Sequence, residues 1–407
     1  MIKTDRKEVS LVLFILSFLF LMFNIEWAII SLLIGLLIIA DRKKNRILIS
    51  MLIVLTYVYF SGDFLSDKSV NATQTLQSAN LKNTMVTSYI DRELTEGNNV
   101  VYCSTFQLAW SKLKYIVKGD VHLESEPPDA INLNKEIITS TDISPKYYLA
   151  MGGLASENIV DRINAELRAK FKDSPVQLKN DAQTPYDLII YSYLAKELQF
   201  NKEFESLSQP IAFSSHGKIS KVKAFGIREY SHKKEHDDLA KQVRLLSYKD
   251  DSDFIIKLIS KEASDDIVLA VVPPEKTLLD TVVTVMERIS MNGVKPIPFK
   301  HKDTLQIPKF NFQIAHQYTP LLNKHFSNKG FEKYFINTAK QDIFFKFDEK
   351  GLVLKSSAHL SGTFGVDLNK PKQLIFDKPF LIFLKENGGK YPYFAMWIDN
   401  DELLIRK

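Results

Sequence analysis

Cysteine is almost absent from this sequence, because Cys103 is the single one among 407 residues. It can form no internal disulfide and no cysteine-based metal centre, and we expect it to be a small buried apolar residue. The net charge of +5 is small. No basic stripe with interleaved aromatic residues is present, which argues against a nucleic-acid partner.

Linear motifs of catalysis are missing as well. The sequence contains no G-x-S-x-G elbow, no H-E-x-x-H, no Walker loop and no dinucleotide-binding glycine pattern. No internal repeat or low-complexity tract is present either. The sequence therefore predicts a protein that is not an enzyme and that needs no cofactor. An enzyme whose site is not visible in linear motifs is the weakest of the alternatives.

Histidine occurs twice in the stretch SHKKEHDD, as His232 and His236, followed by Asp237 and Asp238. On a helix, this i, i+4 spacing could offer metal ligands. The neighbouring lysines Lys233–Lys234 argue against a cation, so we interpret the stretch as a charged, solvated turn and predict no metal.

What is abundant is apolar sequence at the N-terminus. Three apolar runs, Val9–Phe23, Trp27–Ala40 and Ile47–Phe60, lie within residues 1–62. Each is shorter than the roughly 20 residues of a usual spanning helix. We predict a membrane anchor of about three short transmembrane helices, the alternative being one signal-anchor with interfacial helices.

Basic clusters give this anchor one consistent topology. Lys3, Arg6 and Lys7 precede the first run, and Arg42–Arg46 precedes the third. With both clusters on the inside and three spans, the remainder of the chain lies on the extracytoplasmic side. Residues 63–75 then read as a polar tether and residues 76–407 as the folded domain.

Strand and turn patterns follow one another near the C-terminus. Phe344–Phe347 predicts a short strand, Asp348–Gly351 a turn, and the alternation over Leu352–Leu360 a half-buried strand. The stretch 361–371 reads as an exposed loop. A buried hairpin is expected at the end, from Phe380–Leu384 and Tyr393–Ile398 around the glycines of the turn 386–389.

This order resembles the C-terminal end of the serpin family. In serpins a strand of the central sheet ends in a D/E-E-K/G-G turn and continues into a reactive loop. The chain re-enters at an F-N-K/R-P-F motif, here Phe376–Phe380, and Ile307–Phe310 resembles the family's L-P-K/R-F strand. The resemblance extends over residues 76–407 and implies a mixed α+β, serpin-like fold.

Periodicity and capping residues predict the elements upstream. The predicted helices are Leu81–Leu94, a helix beginning at Ser104 as N-cap, Asn158–Phe171 and Leu278–Ile289. The predicted strands are Val100–Tyr102, Leu188–Leu194, Lys218–Ile227, Val243–Ser247, Phe254–Ile259 and Ile267–Val272. Ala195–Phe204 resembles the serpin F-K-G-x-W-x-x-x-F segment, with Phe200 in place of the tryptophan.

The resemblance implies a reactive loop and, as partner, a serine or cysteine protease. Small residues favour rapid insertion of the loop hinge into the sheet after cleavage. The hinge here consists of Gly351, Leu352, Val353, Leu354, Ser356 and Ala358. Its bulky leucines favour a strand that already lies in the sheet before cleavage, since burying each leucine is worth about 1.5–3 kcal/mol. That would give a non-inhibitory binding or scaffold module. For an inhibitor, the cleaved bond is expected in a window without lysine or arginine, which implies apolar or aromatic specificity: Leu360, Gly362, Thr363, Phe364, Gly365 and Val366.

Overall fold

The computed structural model describes residues 75–171, 177–228, 233–261, 264–291, 297–353 and 371–407. The predicted membrane anchor and most of the tether lie outside these residues, and the first described strand begins at Thr75. Within the described ranges, no helix combines the length and the apolar character that crossing a membrane requires.

In the described residues, five helices are distributed among eighteen strands, many of which follow one another directly along the chain, and this composition confirms the mixed α+β class. The helices are α1 (Thr105–Val117), α2 (Pro128–Asn134), α3 (Ile159–Lys170), α4 (Lys233–Ala240) and α5 (Leu278–Met291). The strands are β1 (Thr75–Gln77), β2 (Thr84–Thr87), β3 (Asn99–Cys103), β4 (Tyr148–Leu154), β5 (Asp187–Leu194), β6 (Leu198–Gln199), β7 (Glu205–Ser215), β8 (Lys218–Ile227), β9 (Val243–Asp250), β10 (Asp253–Leu258), β11 (Asp265–Val271), β12 (Thr304–Pro308), β13 (Phe310–Gln317), β14 (Phe335–Asp348), β15 (Gly351–Val353), β16 (Gln373–Ile375), β17 (Phe380–Glu386) and β18 (Phe394–Ile398). Short 3-10 turns cover Ser78–Asn80, Pro145–Tyr147, Ala155–Glu157 and Thr319–Leu321.

These strands form three sheets. A first sheet of seven strands has the path β1-β13-β14-β15-β6, with β5 also beside β14 and β4 beside β5. A second sheet of seven has the order β2-β3-β18-β17-β11-β10-β9, and a sheet of four has the order β16-β12-β8-β7. Apolar side chains of all three sheets meet in one continuous core, which holds Phe345 and Phe347 of β14.

Strand β5 is buried along its whole length because it is covered on both faces. Leu188 and Ile190 belong to one cluster with side chains of α1. Ile189 and Tyr191 belong to another with side chains of α3. Alternate residues of a strand point to opposite faces, so α1 and α3 cover opposite sides of this strand. The predicted strand Leu188–Leu194 and the predicted helix Asn158–Phe171 are thereby confirmed to within a residue or two.

The helix predicted over Leu81–Leu94 is wrong. Residues Thr84–Thr87 form β2, which pairs in parallel with β3. Further along, Leu94 N donates to the carbonyl of Lys276, and Leu278 N donates to the carbonyl of Arg92. Long-range partners thus satisfy backbone groups that a helix would have paired internally, and the threonines and Val86 favour a strand.

Ser104 stands in the predicted N-cap position but does not act as a capping side chain. Helix α1 begins at Thr105, and the Ser104 side chain makes no capping hydrogen bond. Its backbone has helical angles, φ −65° and ψ −15°, whereas a capping residue needs extended ones. The boundary was predicted correctly and its chemistry was not.

The charged, solvated turn predicted around His236 is also wrong. This residue lies on helix α4, and none of its side chain is exposed. Helical periodicity turns His236 and Leu239 inwards while Lys233 and Lys234 remain exposed. His232 lies outside the described residues.

Candidate functional site

The candidate site is the end of the first sheet at which β15 begins. Along most of its length β14 pairs directly and in parallel with β5, from Phe335 opposite Asp187 to Ile343 opposite Leu194. We call this pairing the β5–β14 seam. Beyond it, β15 lies between β14 and β6 and is antiparallel to both.

The predicted turn Asp348–Gly351 is present and is held by hydrogen bonds that its backbone N–H and carbonyl groups make. Lys350 N donates to Asp348 Oδ1 at 3.0 Å. Phe200 N donates to the Lys350 carbonyl at 3.0 Å, and Phe204 N donates to the Glu349 carbonyl at 2.9 Å. The segment that resembles the serpin tryptophan motif therefore touches the turn from which the reactive loop is expected to leave.

Gly351 occupies a place that no other residue fits without strain. Its φ of +145° lies in the region that favours glycine, and a Cβ there would come within 2.3 Å of the Leu198 carbonyl oxygen. The absence of a side chain lets β15 approach β6 closely enough to pair with it.

Leu352, next along the predicted hinge, is completely buried. It pairs with Phe347 on one side and Leu198 on the other, and it belongs to the main core. Phe200 and Phe204 make an edge-to-face contact in the same cluster, with ring centroids 4.8 Å apart. The first residues of the predicted hinge, Gly351–Val353, thus form a strand of the sheet.

Val353 is the last described residue before the gap. The other predicted hinge residues and the whole predicted cleavage window lie outside the described residues: Leu354, Ser356, Ala358, Leu360, Gly362, Thr363, Phe364, Gly365 and Val366. On the far side, Gln373–Ile375 forms β16 in the four-stranded sheet, parallel to β12. Segment 354–370 therefore connects two different sheets.

Polar groups cross the seam, and sequence reasoning missed all of them. Tyr191 OH on β5 donates to Asp342 Oδ2 on β14 at 3.1 Å. Burial raises the pKa of both groups above their ordinary values. A strand that entered the seam would have to break this hydrogen bond.

A second polar contact ties both strands of the seam to the start of α1. Gln341 Nε2 on β14 donates to Thr105 Oγ1 at 2.8 Å and to the Cys103 carbonyl at 3.0 Å. Thr105 Oγ1 donates to Ser192 Oγ on β5 at 3.3 Å. Tyr318 OH donates to Gln341 Oε1 at 2.6 Å. A polar residue inside an otherwise apolar strand, such as Ser192, is the one sequence signal that could have indicated this cluster.

Cys103 beside this cluster is buried, as predicted. Burial raises the pKa of its thiol to about 11. The nucleophilic thiolate is therefore scarce at neutral pH, and this position offers no nucleophile.

Lys196 forms a buried ionic centre where β5 gives way to β6. Its ammonium group contacts Asp265 and lies 2.6 Å from Glu386 Oε1. It also lies 4.5 Å from the ring centroid of Tyr393, whose hydroxyl donates to Asp265 Oδ1 at 3.0 Å. Burial raises the pKa of Tyr393 well above its ordinary value. The centre links the end of the seam to β11 and β17 of the second sheet.

No protein-family model matches the chain, and no curated protein matches it. Among solved structures, it is similar to native protease nexin-1 with heparin at 15% identity, over 74% of this chain and 92% of that one, with a TM-score of 0.43. It is similar to thyroxine-binding globulin in complex with thyroxine at 13% identity, over 74% and 92% of the two chains, with a TM-score of 0.40. It is similar to Serpin48, a highly specific serpin of the insect Tenebrio molitor, at 14% identity and a TM-score of 0.37, over 60% of this chain and 65% of that one.

Proposed function

We propose that this protein inhibits serine or cysteine proteases by the serpin mechanism, with segment 354–370 as the bait. Cleavage in this segment would release its N-terminal part, which would then enter the β5–β14 seam as a new strand. The observation that carries the proposal is the direct parallel pairing of β5 with β14. Next to this pairing, the hinge strand β15 already lies between β14 and β6.

The direction of β15 supports insertion on energetic grounds. Gly351–Val353 is antiparallel to β14 and to β6, so a strand that continues it would be antiparallel to both sides of the seam. Insertion would replace one parallel ladder by two antiparallel ladders, and parallel pairing is slightly less stable per residue. The gain of a whole strand is the driving force that a suicide inhibitor needs.

Protease specificity follows from the composition of the predicted window. Leu360, Phe364 and Val366 suit a pocket that accepts apolar or aromatic side chains, and neither lysine nor arginine lies between His359 and Val366. We therefore propose a chymotrypsin-like target and no trypsin-like one.

A second candidate function has an observation of its own. Leu352 is completely buried and Gly351–Val353 already forms a strand, so this part of the hinge has nothing further to gain from insertion. A serpin-fold binding or scaffold module, with its loop strand kept in the sheet, is the function that this burial favours.

Location at a membrane belongs to the same proposal. Residues 1–62 would anchor the protein and present the domain on the extracytoplasmic side, where secreted or surface proteases act. The apolar runs and the basic clusters of the sequence support this arrangement.

The deciding experiment uses the full-length chain in a mild detergent, incubated with chymotrypsin. We expect an adduct that survives denaturing electrophoresis, in which the protease serine remains esterified to the new carboxyl end of the bait. The matched control is Ala358→Arg, which places a long charged side chain in the hinge and should turn the inhibitor into a substrate.

Melting before and after cleavage separates the two candidates. Insertion should raise the melting temperature of the cleaved protein well above that of the intact one. Clean cleavage without an adduct and without a rise in melting temperature would exclude inhibition and favour the binding module.

A further inference from the structure

Two histidine rings from distant parts of the chain meet beside helix α4. His236 on α4 and His301 have ring centroids 5.1 Å apart with an angle of 84° between the rings. The Nδ1 atoms of both are buried and have no hydrogen-bond partner among the described residues. Buried polar atoms normally have partners, so two such nitrogens at one place require an explanation.

The role of His236 Nε2 follows from its one hydrogen bond. Its Nε2 lies 3.0 Å from the Asp303 carbonyl oxygen. A carbonyl oxygen can only accept, so Nε2 carries a hydrogen, and Nδ1 is the ring nitrogen that could offer a lone pair to a metal. The ring is completely buried and is stacked on Phe299, with centroids 5.6 Å apart. Its orientation is therefore fixed.

We infer that His236, His301 and Asp237 bind a divalent transition metal, zinc being the best fit. Asp237 Oδ1 lies 3.6 Å from His236 Nδ1. One ligand atom from each of the three residues lies within 4.8 Å of the others. Neutral imidazole and carboxylate groups are typical zinc ligands, at about 2.0–2.2 Å from the metal. Three protein ligands leave one position for water in a tetrahedral site.

The surroundings of His236 match those of a metal-binding histidine. Such a ligand almost always donates its other ring N–H to a carbonyl or a carboxylate, and here that acceptor is the Asp303 carbonyl. The Asp303 carboxylate is itself fixed, because it accepts from Lys300 N at 2.7 Å and from Lys372 N at 2.8 Å. The acceptor is therefore held in place before any metal arrives.

Nearby lysines do not oppose a cation at this place. Lys233 and Lys234 are exposed to solvent on α4. The ammonium of Lys372 lies 3.2 Å from Asp303 Oδ2, which balances its charge. Asp237 is exposed, so its carboxylate is free to turn towards the two imidazoles at little cost.

A metal here would also brace the base of segment 354–370, a consequence that rests on the proposed function. Asp303 holds Lys372, one of the first described residues after that segment, and Thr304 N donates to the Lys372 carbonyl at 2.9 Å. Next to them, Thr304 pairs with Gln373 where β12 meets β16. Metal binding would therefore stabilise the contacts that hold the chain where it leaves segment 354–370 and enters β16.

The test is titration of the full-length chain with cobalt, followed by competition with zinc against a chromophoric chelator. We expect one equivalent and the visible absorption of tetrahedral cobalt. His236→Gln keeps a hydrogen-bond donor near the Nε2 position. This variant and His301→Gln should each weaken metal binding on the order of 100-fold or more, because loss of a ligand costs at least as much affinity as loss of the residue that holds a ligand in place. The matched control is His122→Gln, which changes an exposed histidine outside this ligand cluster and should bind normally.

Asp237→Asn guards against a variant that fails to fold, because this side chain is exposed. Zinc should raise the melting temperature of the natural protein and raise it much less in Asp237→Asn. Absence of binding, binding unchanged in His301→Gln, or binding lost in His122→Gln would each overturn the site. Protease inhibition is a separate readout, so loss of inhibition with intact metal binding refutes only the proposed function.

Discussion

Gln341 and Thr105, which are 236 residues apart in the sequence, are joined by a hydrogen bond of 2.8 Å from Nε2 to Oγ1. Thr105 also donates to Ser192, so the start of helix α1 holds both strands of the β5–β14 seam. Resistance of the seam to opening thus depends in part on one buried hydroxyl group.

Thr105→Val removes this hydroxyl and keeps the shape of the side chain. We expect the free energy of unfolding to fall by about 1–3 kcal/mol, because Gln341 and Ser192 each lose a buried partner. Urea denaturation measures the loss, and amide exchange of β5 should become faster. Thr105→Ser retains the hydroxyl and should lose clearly less; equal losses in both variants would contradict this role.

Gly351→Ala should destabilise the turn that begins β15. The added Cβ would meet the Leu198 carbonyl oxygen at 2.3 Å, and a φ of +145° is strained for alanine. We expect a cost of about 1–3 kcal/mol from the backbone strain, measured by urea denaturation. Gly119→Ala is the matched control, because nothing lies within 4 Å of its added Cβ and its φ is ordinary. Equal stability of both variants would show that β15 does not need the close approach.

Lys196→Met tests the buried ionic centre. Asp265 would keep a buried charge without its partner, and removing one member of a buried pair costs about 3–5 kcal/mol. The double variant Lys196→Met with Asp265→Asn should recover part of this loss. A double variant as unstable as the sum of its single changes would argue against coupling of the pair.

His316 predicts a loss of stability in acid. Burial lowers its pKa to about 4, below the ordinary 6.5. The unfolded chain then binds a proton that the folded chain does not, so stability falls as the pH drops from about 6.5 towards 4, by at most roughly 3 kcal/mol. His316→Asn should flatten this part of the stability curve in urea denaturation at pH 7.5 and 4.5. An unchanged slope would exclude His316 as its source.

For His216 we expect the opposite dependence on pH, a loss of stability as the pH rises. Its Nε2 lies 2.8 Å from Asp399 Oδ1 and its Nδ1 lies 2.9 Å from Glu96 Oε1. The hydrogen bond with Asp399 raises its pKa above the ordinary 6.5. The stabilisation is fully present below about pH 6.5 and is lost as the pH rises through the raised pKa.

The test compares the free energy of unfolding of the natural protein with that of His216→Gln between pH 6 and pH 9. The stability difference should be largest at pH 6 and should shrink as the pH rises. Because the ring is partly exposed, added salt should also reduce the difference. A difference that grows with pH would contradict the sign.

The spacing of apolar residues predicted most of the regular elements, because the faces that an element buries determine that spacing directly. Leu188–Leu194 is apolar at nearly every position, and a strand covered on both faces must be so. The turn Asp348–Gly351 was predictable because only glycine suits the backbone at Gly351. The helix predicted over Leu81–Leu94 failed because β3, further along the chain, supplies the partner of Thr84–Thr87.

The polar contacts were not predictable, because they join residues without any sequence pattern between them. Lys196 and Asp265 are 69 residues apart. His236 has an evident neighbour in His232, whereas the ring beside it belongs to His301. Spacing along one helix carries no information about His301, because tertiary packing brings this residue to His236 from a distant part of the chain.

Segment 354–370 joins β15 of one sheet to a C-terminal stretch that supplies β16 of another and β17 and β18 in the middle of the third. A single cut in it leaves two chains, the smaller one containing at least residues 371–407. That fragment lies between β11 and β3 and cannot diffuse away while the fold persists. The cut protein should migrate as one particle under native conditions and as two in denaturant. Its refolding after denaturation should become a bimolecular reaction whose rate depends on protein concentration.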